Sequence, residues 1–398
     1  MEDSARLVLD VGLVLLLAAA AGWGARRIGL PAIVGYLAAG LAVSPFTPGY
    51  VADRSQITFL ADVGVVLLLF EVGIEVDLVR IRREARSLLA IAPLQVVFTT
   101  AVCWAAFGAT GSPPLGAALL GLSIAMSSSV VVVNITRSRR RTTDRETERA
   151  LLGWSVVQDV AGVSIAAIIL ALFGVNGRSA AEALGGLAVF AGLAIGAAWL
   201  LPMILRRLRS EHDLFLIVSV ASGLTLAAVG SVLFGIQMAL AAFVAGLAIG
   251  EGHDAAEARR RLLPFRDVFA VLFFVALGSL LDPAALPAAL PYLGLMLGLV
   301  VLAKTLPIAA LARLVRLPGH PGKVALGLSQ VGEFGFVLAS VGVAAEVVSR
   351  ERFTAVIATV VITTAGSAIL ARLGGGPDRA PAEAEPELPD VATLEART

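Results

Sequence analysis

Apolar residues run through this chain in blocks closed by short polar stretches. The blocks are about 15 to 25 residues long, the length a helix needs to cross a hydrocarbon layer roughly 30 Å thick. The pattern predicts thirteen segments, at 7–24, 28–44, 57–76, 87–108, 115–135, 150–173, 183–204, 213–234, 237–250, 267–281, 288–312, 323–345 and 353–371. The expected fold class is an all-α polytopic membrane protein with about 13 transmembrane helices.

The positive residues between the blocks test that count, because Lys and Arg gather on the cytoplasmic side of alternate connections. With the N-terminus outside and the C-terminus cytoplasmic, Arg26 and Arg27, the arginines from Arg80 to Arg86 and from Arg137 to Arg149, and Arg206, Arg207 and Arg209 all fall inside. So do Arg259 to Arg261 with Arg266, and Arg313, Arg316 and Lys323. Including the tail, 25 basic residues lie inside, against Arg6, Arg54, Arg178, Arg350 and Arg352 outside. This orientation fits a multi-pass protein of the plasma or inner membrane. Glu2 and Asp3 precede the first segment and an Arg pair follows it, the reverse of a secretory leader, so it is read as a retained anchor. From Gly374 the chain turns Pro-, Ala- and Glu-rich, which predicts one transmembrane unit over 1–372 and a disordered acidic tail over 373–398.

Composition narrows the function classes. A chain that is 58% hydrophobic and 15% charged, with mean hydropathy +0.89, leaves no stretch for a soluble domain. The net charge of +1 says little about partners, and no nucleic-acid partner is expected. The single Cys103 excludes an internal disulfide. His212, His253 and His320 fall in inside loops, His253 beside Glu251 and Asp254, and neither a phosphate-binding glycine loop nor metal-ligand spacing occurs. No enzyme activity and no cofactor are expected.

A repeat emerges when the segments are aligned. Ala39-Gly40-Leu41-Ala42 recurs as Ala245-Gly246-Leu247-Ala248, 206 positions later, and Gly121-Leu122-Ser123 recurs as Gly327-Leu328-Ser329, also 206 later. Gly73 and Asp77 match Gly278 and Asp282, 205 apart. Partners seven segments apart cross the bilayer in opposite directions, so the expectation is an inverted-topology repeat over about 28–173 and 237–372, a recurrent plan of secondary transporters. That plan requires two crossed discontinuous helices. Ser127-Ser128-Ser129 in the fifth segment and Gly327 to Gly335 in the twelfth supply residues that open a helix and satisfy the freed backbone. Close packing of small residues is the alternative reading of both.

Ionised side chains within the blocks mark the candidate site. Asp159 lies in the apolar run 150–173, and Lys304 in another, although the chain has only two lysines against 29 arginines. A charge at mid-bilayer costs roughly 2.5–3.5 kcal/mol on insertion scales, and lysine, unlike arginine, can lose its proton. Helical spacing puts Ser155 and Gly162 on the face of Asp159, and Pro307 leaves the carbonyl of Ala303 without its helical donor. A purely structural Asp159–Lys304 ion pair is the competing reading. Glu71 is read either as an acid of a cytoplasmic funnel or as a helix-end acid snorkelling to water. Asp62 toward the outer end of the same segment, and Glu333 and Gln330 within the second break, are further candidates; Asp10 is interfacial.

These residues resemble a family. Leu30-Pro31 with Val34 to Gly40, Leu67 to Phe70 with Gly73 and Glu75, Gln158-Asp159, Leu263 to Asp267 before Leu272 to Val275, and Ser329 to Phe334 together resemble the monovalent cation:proton antiporter-2 family, the Kef-type sodium or potassium exchangers. The resemblance implies a core domain with crossed, interrupted helices that moves against a dimerisation domain, hence a homodimer. It matches Asp159 to the ion-binding carboxylate and Lys304 to a membrane lysine. Members with two adjacent acids resemble electrogenic exchangers, and here the first position is Gln158. Kef proteins carry a C-terminal nucleotide-binding domain that this sequence lacks, which makes a separate regulatory subunit a candidate partner.

The expected chemistry is competition. An ionised Asp159 in a low-dielectric site is relieved either by a proton or by a dehydrated Na⁺ or K⁺, with Ser128, Ser129, Ser155, Gln158 and exposed carbonyls as oxygen ligands for a monovalent cation at Asp159. If only the occupied carrier crosses, proton and cation fluxes are coupled. A cation channel and a non-transporting membrane sensor on a transporter scaffold stay open as other readings.

Overall fold

The structure, a computed structural model, describes residues 2–28, 30, 32–44, 46–47, 54–75, 86–128, 131–132, 144–173, 179–250, 255–281 and 283–373. Ser129, Asp77, Asp282, Glu251, His253, Asp254 and the tail from 374 onward lie outside these residues. The described residues form helices and no strand: α1 (Glu2–Arg27), α2 (Ala32–Ala42), α3 (Arg54–Glu75), α4 (Leu88–Ala109), α5 (Pro114–Ala125), α6 (Arg145–Leu172), α7 (Ala180–Arg207), α8 (His212–Phe234), α9 (Met238–Gly250), α10 (Ala255–Ser279), α11 (Leu286–Leu299), α12 (Leu306–Leu314), α13 (Pro321–Gly327), α14 (Glu333–Ala344) and α15 (Arg350–Leu373). A π-helical stretch, Val300–Thr305, joins α11 to α12. Among the described residues, seven helical stretches are long and apolar enough to cross a membrane. The helices Ala32–Ala42, Pro114–Ala125 and Met238–Gly250 and the stretch Phe334–Ala344 are apolar but shorter.

Local chemistry sets several of these ends. Asp144 caps α6 by accepting from the Thr147 amide at 2.9 Å, Ser179 and Glu182 form a reciprocal capping box on α7, and Gly235 closes α8 at φ 68°. Two starts differ from the hydropathy reading. α6 begins at Arg145 rather than 150. α10 begins at Ala255 rather than 267, so Arg259, Arg260, Arg261 and Arg266 sit on a helix, not in a loop. Glu257 pairs with Arg260 and Arg261 one turn on, which offsets the polar character of that helical start.

The helices sort into two groups by packing. α1, α2, α3 and α7 to α10 form one, and α4, α5, α6 and α11 to α15 the other; α6 meets α7 and α9 along the seam. Two backbone crossings tie the first group together. Gly40 lies against Gly278, where an added Cβ would sit 2.0 Å from the Val275 carbonyl, and Gly73 lies against Gly246, where it would sit 2.3 Å from the Phe243 carbonyl. Only glycine permits either approach. The 206- and 205-residue spacings carry Gly40 onto Gly246 and Gly73 onto Gly278, so each crossing is the other's counterpart in the repeat.

Candidate functional site

The second group is built around two helical interruptions. α5 ends at Ala125, and Met126 turns extended at φ −90°, ψ 140°. The twelfth segment stops at Gly327 and resumes only at Glu333, with Leu328 to Gly332 non-helical between. The two interruptions touch: the Gly332 amide donates to the Met126 carbonyl at 3.0 Å, and a Cβ on Gly332 would lie 2.5 Å from the Ser127 carbonyl carbon. Broken helices expose four orphan amides or carbonyls at each new end, and in an apolar setting each needs a partner.

Buried side chains supply those partners. Gln158 Oε1 accepts from the Ser127 amide at 2.8 Å, and Gln330 Oε1 accepts from the Ser128 amide at 2.8 Å. Ser127 Oγ donates to the Leu328 carbonyl at 2.7 Å, Gln330 Nε2 donates to Gly327 O at 3.1 Å, and Thr363 Oγ1 accepts from the Val331 amide at 3.1 Å. Lys304, fully buried, donates to the carbonyls of Met126 at 3.0 Å and Gln330 at 2.7 Å, one from each interruption. Its Nζ therefore holds the two breaks together, and its donor bonds run to main-chain carbonyls rather than to the Asp159 carboxylate.

The helix carrying Lys304 is itself irregular. Pro307 has no N–H for the Ala303 carbonyl, and that carbonyl accepts instead from Thr99 Oγ1 of α4 at 2.7 Å. Around it the backbone widens into the π-helical stretch Val300–Thr305, with Thr305 Oγ1 donating to Val300 O at 2.8 Å. The donor missing at the proline is accommodated by a π-bulge, an irregularity common at functional sites. Gln95, one turn before Thr99, extends the network: its Nε2 donates to Thr99 Oγ1 at 3.0 Å, and its Oε1 accepts from Gln158 Nε2 at 2.6 Å.

Asp159 sits beside this junction, 1% exposed. Its helix presses on the first break, since Gly162 packs against the Met126 side chain so closely that a Cβ would lie 2.5 Å from its sulfur. Asp159 is within electrostatic reach of Lys304. Ser155, one turn earlier on the same face, is buried with a hydroxyl that makes no hydrogen bond among the described residues. Ser128 Oγ accepts from the Val131 amide at 3.3 Å. The structure thus separates two roles among the expected oxygen ligands. The side-chain oxygens of Gln158 and Gln330 are taken up by backbone amides, whereas the Ser155 hydroxyl has no partner among the described residues.

The remaining candidates lie elsewhere. Glu333 is the first residue of α14, immediately after the second break. Glu71 of α3 neither lines an open funnel nor snorkels to water: it is 1% exposed, held by Arg259 Nε at 2.5 Å and Arg266 Nη1 at 2.8 Å, with Arg259 also reaching Glu75 at 2.8 Å. Its partners come from the early start of α10. Asp62, nearer the start of α3, lines a separate cavity between the helix groups. Gln95, Thr99 and Thr363 are absent from the sequence-derived site; the one signal for the first two is their spacing of four residues in an apolar helix.

With this geometry in place, similarity to known proteins adds a frame. Residues 12–372 match the family described as "Sodium/hydrogen exchanger, transmembrane". Over 362 residues the chain is 31% identical to the Escherichia coli (strain K12) protein named "Putative cation/proton antiporter YbaL", covering 86% of this chain and 64% of that relative. The chain therefore spans less than two thirds of that protein's length. Its fold is similar to that of the sodium proton antiporter MjNhaP1 from Methanocaldococcus jannaschii, with TM-score 0.72 at 20% identity, covering 94% of this chain and 98% of that one.

Proposed function

Because the chain belongs to the sodium/hydrogen exchanger family, we propose that it exchanges a monovalent cation, Na⁺ or K⁺, for protons across a membrane, with Asp159 as the group both occupants use in turn. The observation that carries this reading is the convergence of a buried carboxyl group, a buried lysine and two interrupted helices at one junction. Ionised and empty, such a carboxylate is costly. A proton neutralises it and a dehydrated alkali cation compensates it, so the two compete for one seat.

Within this mechanism the Asp159 carboxylate and the Ser155 hydroxyl are the cation's side-chain oxygen ligands. Gln158, Gln330, Gln95 and Thr99 are positioning residues that keep the broken ends from collapsing onto the site. Lys304 bridges the two breaks in the empty carrier and releases one or both carbonyls when the cation arrives. Alternating access follows if the group containing α4 to α6 and α11 to α15 moves against the other along the α6 seam.

The same reading takes the chain as thirteen crossings in an inverted-topology repeat over about 28–173 and 237–372. It has the N-terminus outside and the C-terminus inside, and a homodimer in the cell membrane. The reciprocal glycine crossings support the repeat, and the loop arginines support the orientation.

Proton-gradient dequenching in proteoliposomes tests the function. Wild type should dissipate an imposed pH gradient on addition of Na⁺ or K⁺, with Li⁺ and Rb⁺ defining selectivity. Uncoupled cation current without obligate proton movement would replace exchange by a channel. Full pH-dependent exchange in Lys304→Gln would remove lysine from the cycle.

A further inference from the structure

We propose that Asp62 forms an entry site that concentrates hydrated monovalent cations in a one-sided vestibule, before they reach the buried junction. A cavity of about 760 Å³ opens between the two helix groups, walled by α3, α6 to α10 and α14. At roughly 30 Å³ per water it holds on the order of 25 waters, enough for an alkali cation with its hydration shell. Its polar lining side chains are Asp62, Ser231, Gln237, Ser279 and Ser340; the rest are apolar or glycine, and no Lys, Arg or His is among the described lining residues.

A single negative charge in an apolar-walled, water-filled recess focuses the field and raises the local cation concentration. Asp62 is exposed there and pairs with no cation among the described residues. The contrast with Glu71 on the same helix is direct, because Arg259 and Arg266 neutralise that acid toward the opposite end of α3. Electrostatic attraction is therefore built into one end of α3 and cancelled at the other. One carboxylate among neutral oxygens does not make a chelating cage, so the ligand is a mobile hydrated cation rather than a bound divalent ion.

The vestibule stops short of the exchange site. Along α6 its nearest lining residue is Ala167, eight residues beyond Asp159, or about 12 Å at 1.5 Å per residue. Asp62 therefore acts on capture, not on coordination.

This inference rests on the exchange reading and deepens it. The test measures the half-saturating Na⁺ or K⁺ concentration for exchange in right-side-out and inside-out vesicles containing wild type, Asp62→Asn or Asp62→Glu. Asp62→Asn should raise half-saturation about two- to ten-fold from the vestibule side alone, more than it lowers the maximal rate, the range expected for one charge acting across a partly screened aqueous path. Asp62→Glu should restore it, and about 0.5 M impermeant choline chloride should abolish the difference. An unchanged half-saturation, an equal shift from both sides, or a shift that survives high ionic strength would each overturn the entry site. If wild type exchanges and Asp62→Asn matches it, only this inference fails; if wild type shows no exchange, the functional reading fails first.

Discussion

Replacing Thr99 with valine isolates the contact that holds the lysine-bearing helix in its widened form. Thr99 is fully buried, donates to the Ala303 carbonyl at 2.7 Å and accepts from Gln95 Nε2 at 3.0 Å. Valine keeps nearly the same volume and removes both bonds. An orphaned buried carbonyl costs about 1–3 kcal/mol, and the lost Gln95 bond about 0.5–1.5, although Gln95 keeps the Ala125 carbonyl at 3.3 Å. The expected destabilisation is about 2–4 kcal/mol, measured as reversible unfolding in mixed micelles, with Thr99→Ser within about 1 kcal/mol of wild type. The diagnostic partner is Pro307→Ala, which returns an N–H four residues after Ala303. In that background Thr99→Val should cost less, with a coupling of about 1–2 kcal/mol. Equal costs in the two backgrounds, or a silent Thr99→Val, would refute the claim that Thr99 replaces the donor the proline lacks.

Two further outcomes follow from the polar contacts outside that network. Glu71→Ala leaves Arg259 and Arg266 facing each other without their shared carboxylate; because both arginines are partly exposed, the loss should fall near about 2–3 kcal/mol, below the range for fully buried pairs, and a second change of Arg266 to Met should recover part of it in the same unfolding assay. Asp144→Ala should cost about 1 kcal/mol at neutral pH by removing the α6 cap. Partial burial pushes the Asp144 carboxyl up, but hydrogen bonds from Thr147 and the nearby His320 outweigh it and hold it below the usual carboxylate range. A depressed folded value means that the charged cap's stabilisation is complete above the unfolded value of about 3.9 and disappears as pH falls through the folded one. Wild type and variant should therefore converge only in strong acid; convergence near pH 6 would contradict the assignment.

The sequence made parts of this site legible for physical reasons. Asp159 and Lys304 stand out because hydrocarbon makes any charge conspicuous, and Pro307 announces a carbonyl without a donor. Gly40, Gly73, Gly246 and Gly278 become readable as a set through their constant spacing, and the structure gives them a shared task in two equivalent crossings. What fills the gaps was hidden. Thr99 and Gln95 look like ordinary small polar residues in α4; only folding brings Thr99 to a carbonyl 204 positions away. Glu71 reads as a helix-end acid until Arg259 and Arg266, 188 and 195 positions later, are placed beside it. Their position depends on α10 starting well before its apolar stretch, which hydropathy alone does not register. Gln158 and Gln330 were legible as site residues by type, whereas their engagement with the Ser127 and Ser128 amides depends on where the breaks fall.

The central claim is that one buried carboxylate seats the proton and the alkali cation in alternation. Its most direct measurement is cation-driven proton movement in proteoliposomes reconstituted with equal amounts of folded wild type and Asp159→Asn. The account predicts robust exchange for wild type and none above empty liposomes for the variant at any pH; exchange by Asp159→Asn at an undiminished rate would contradict it.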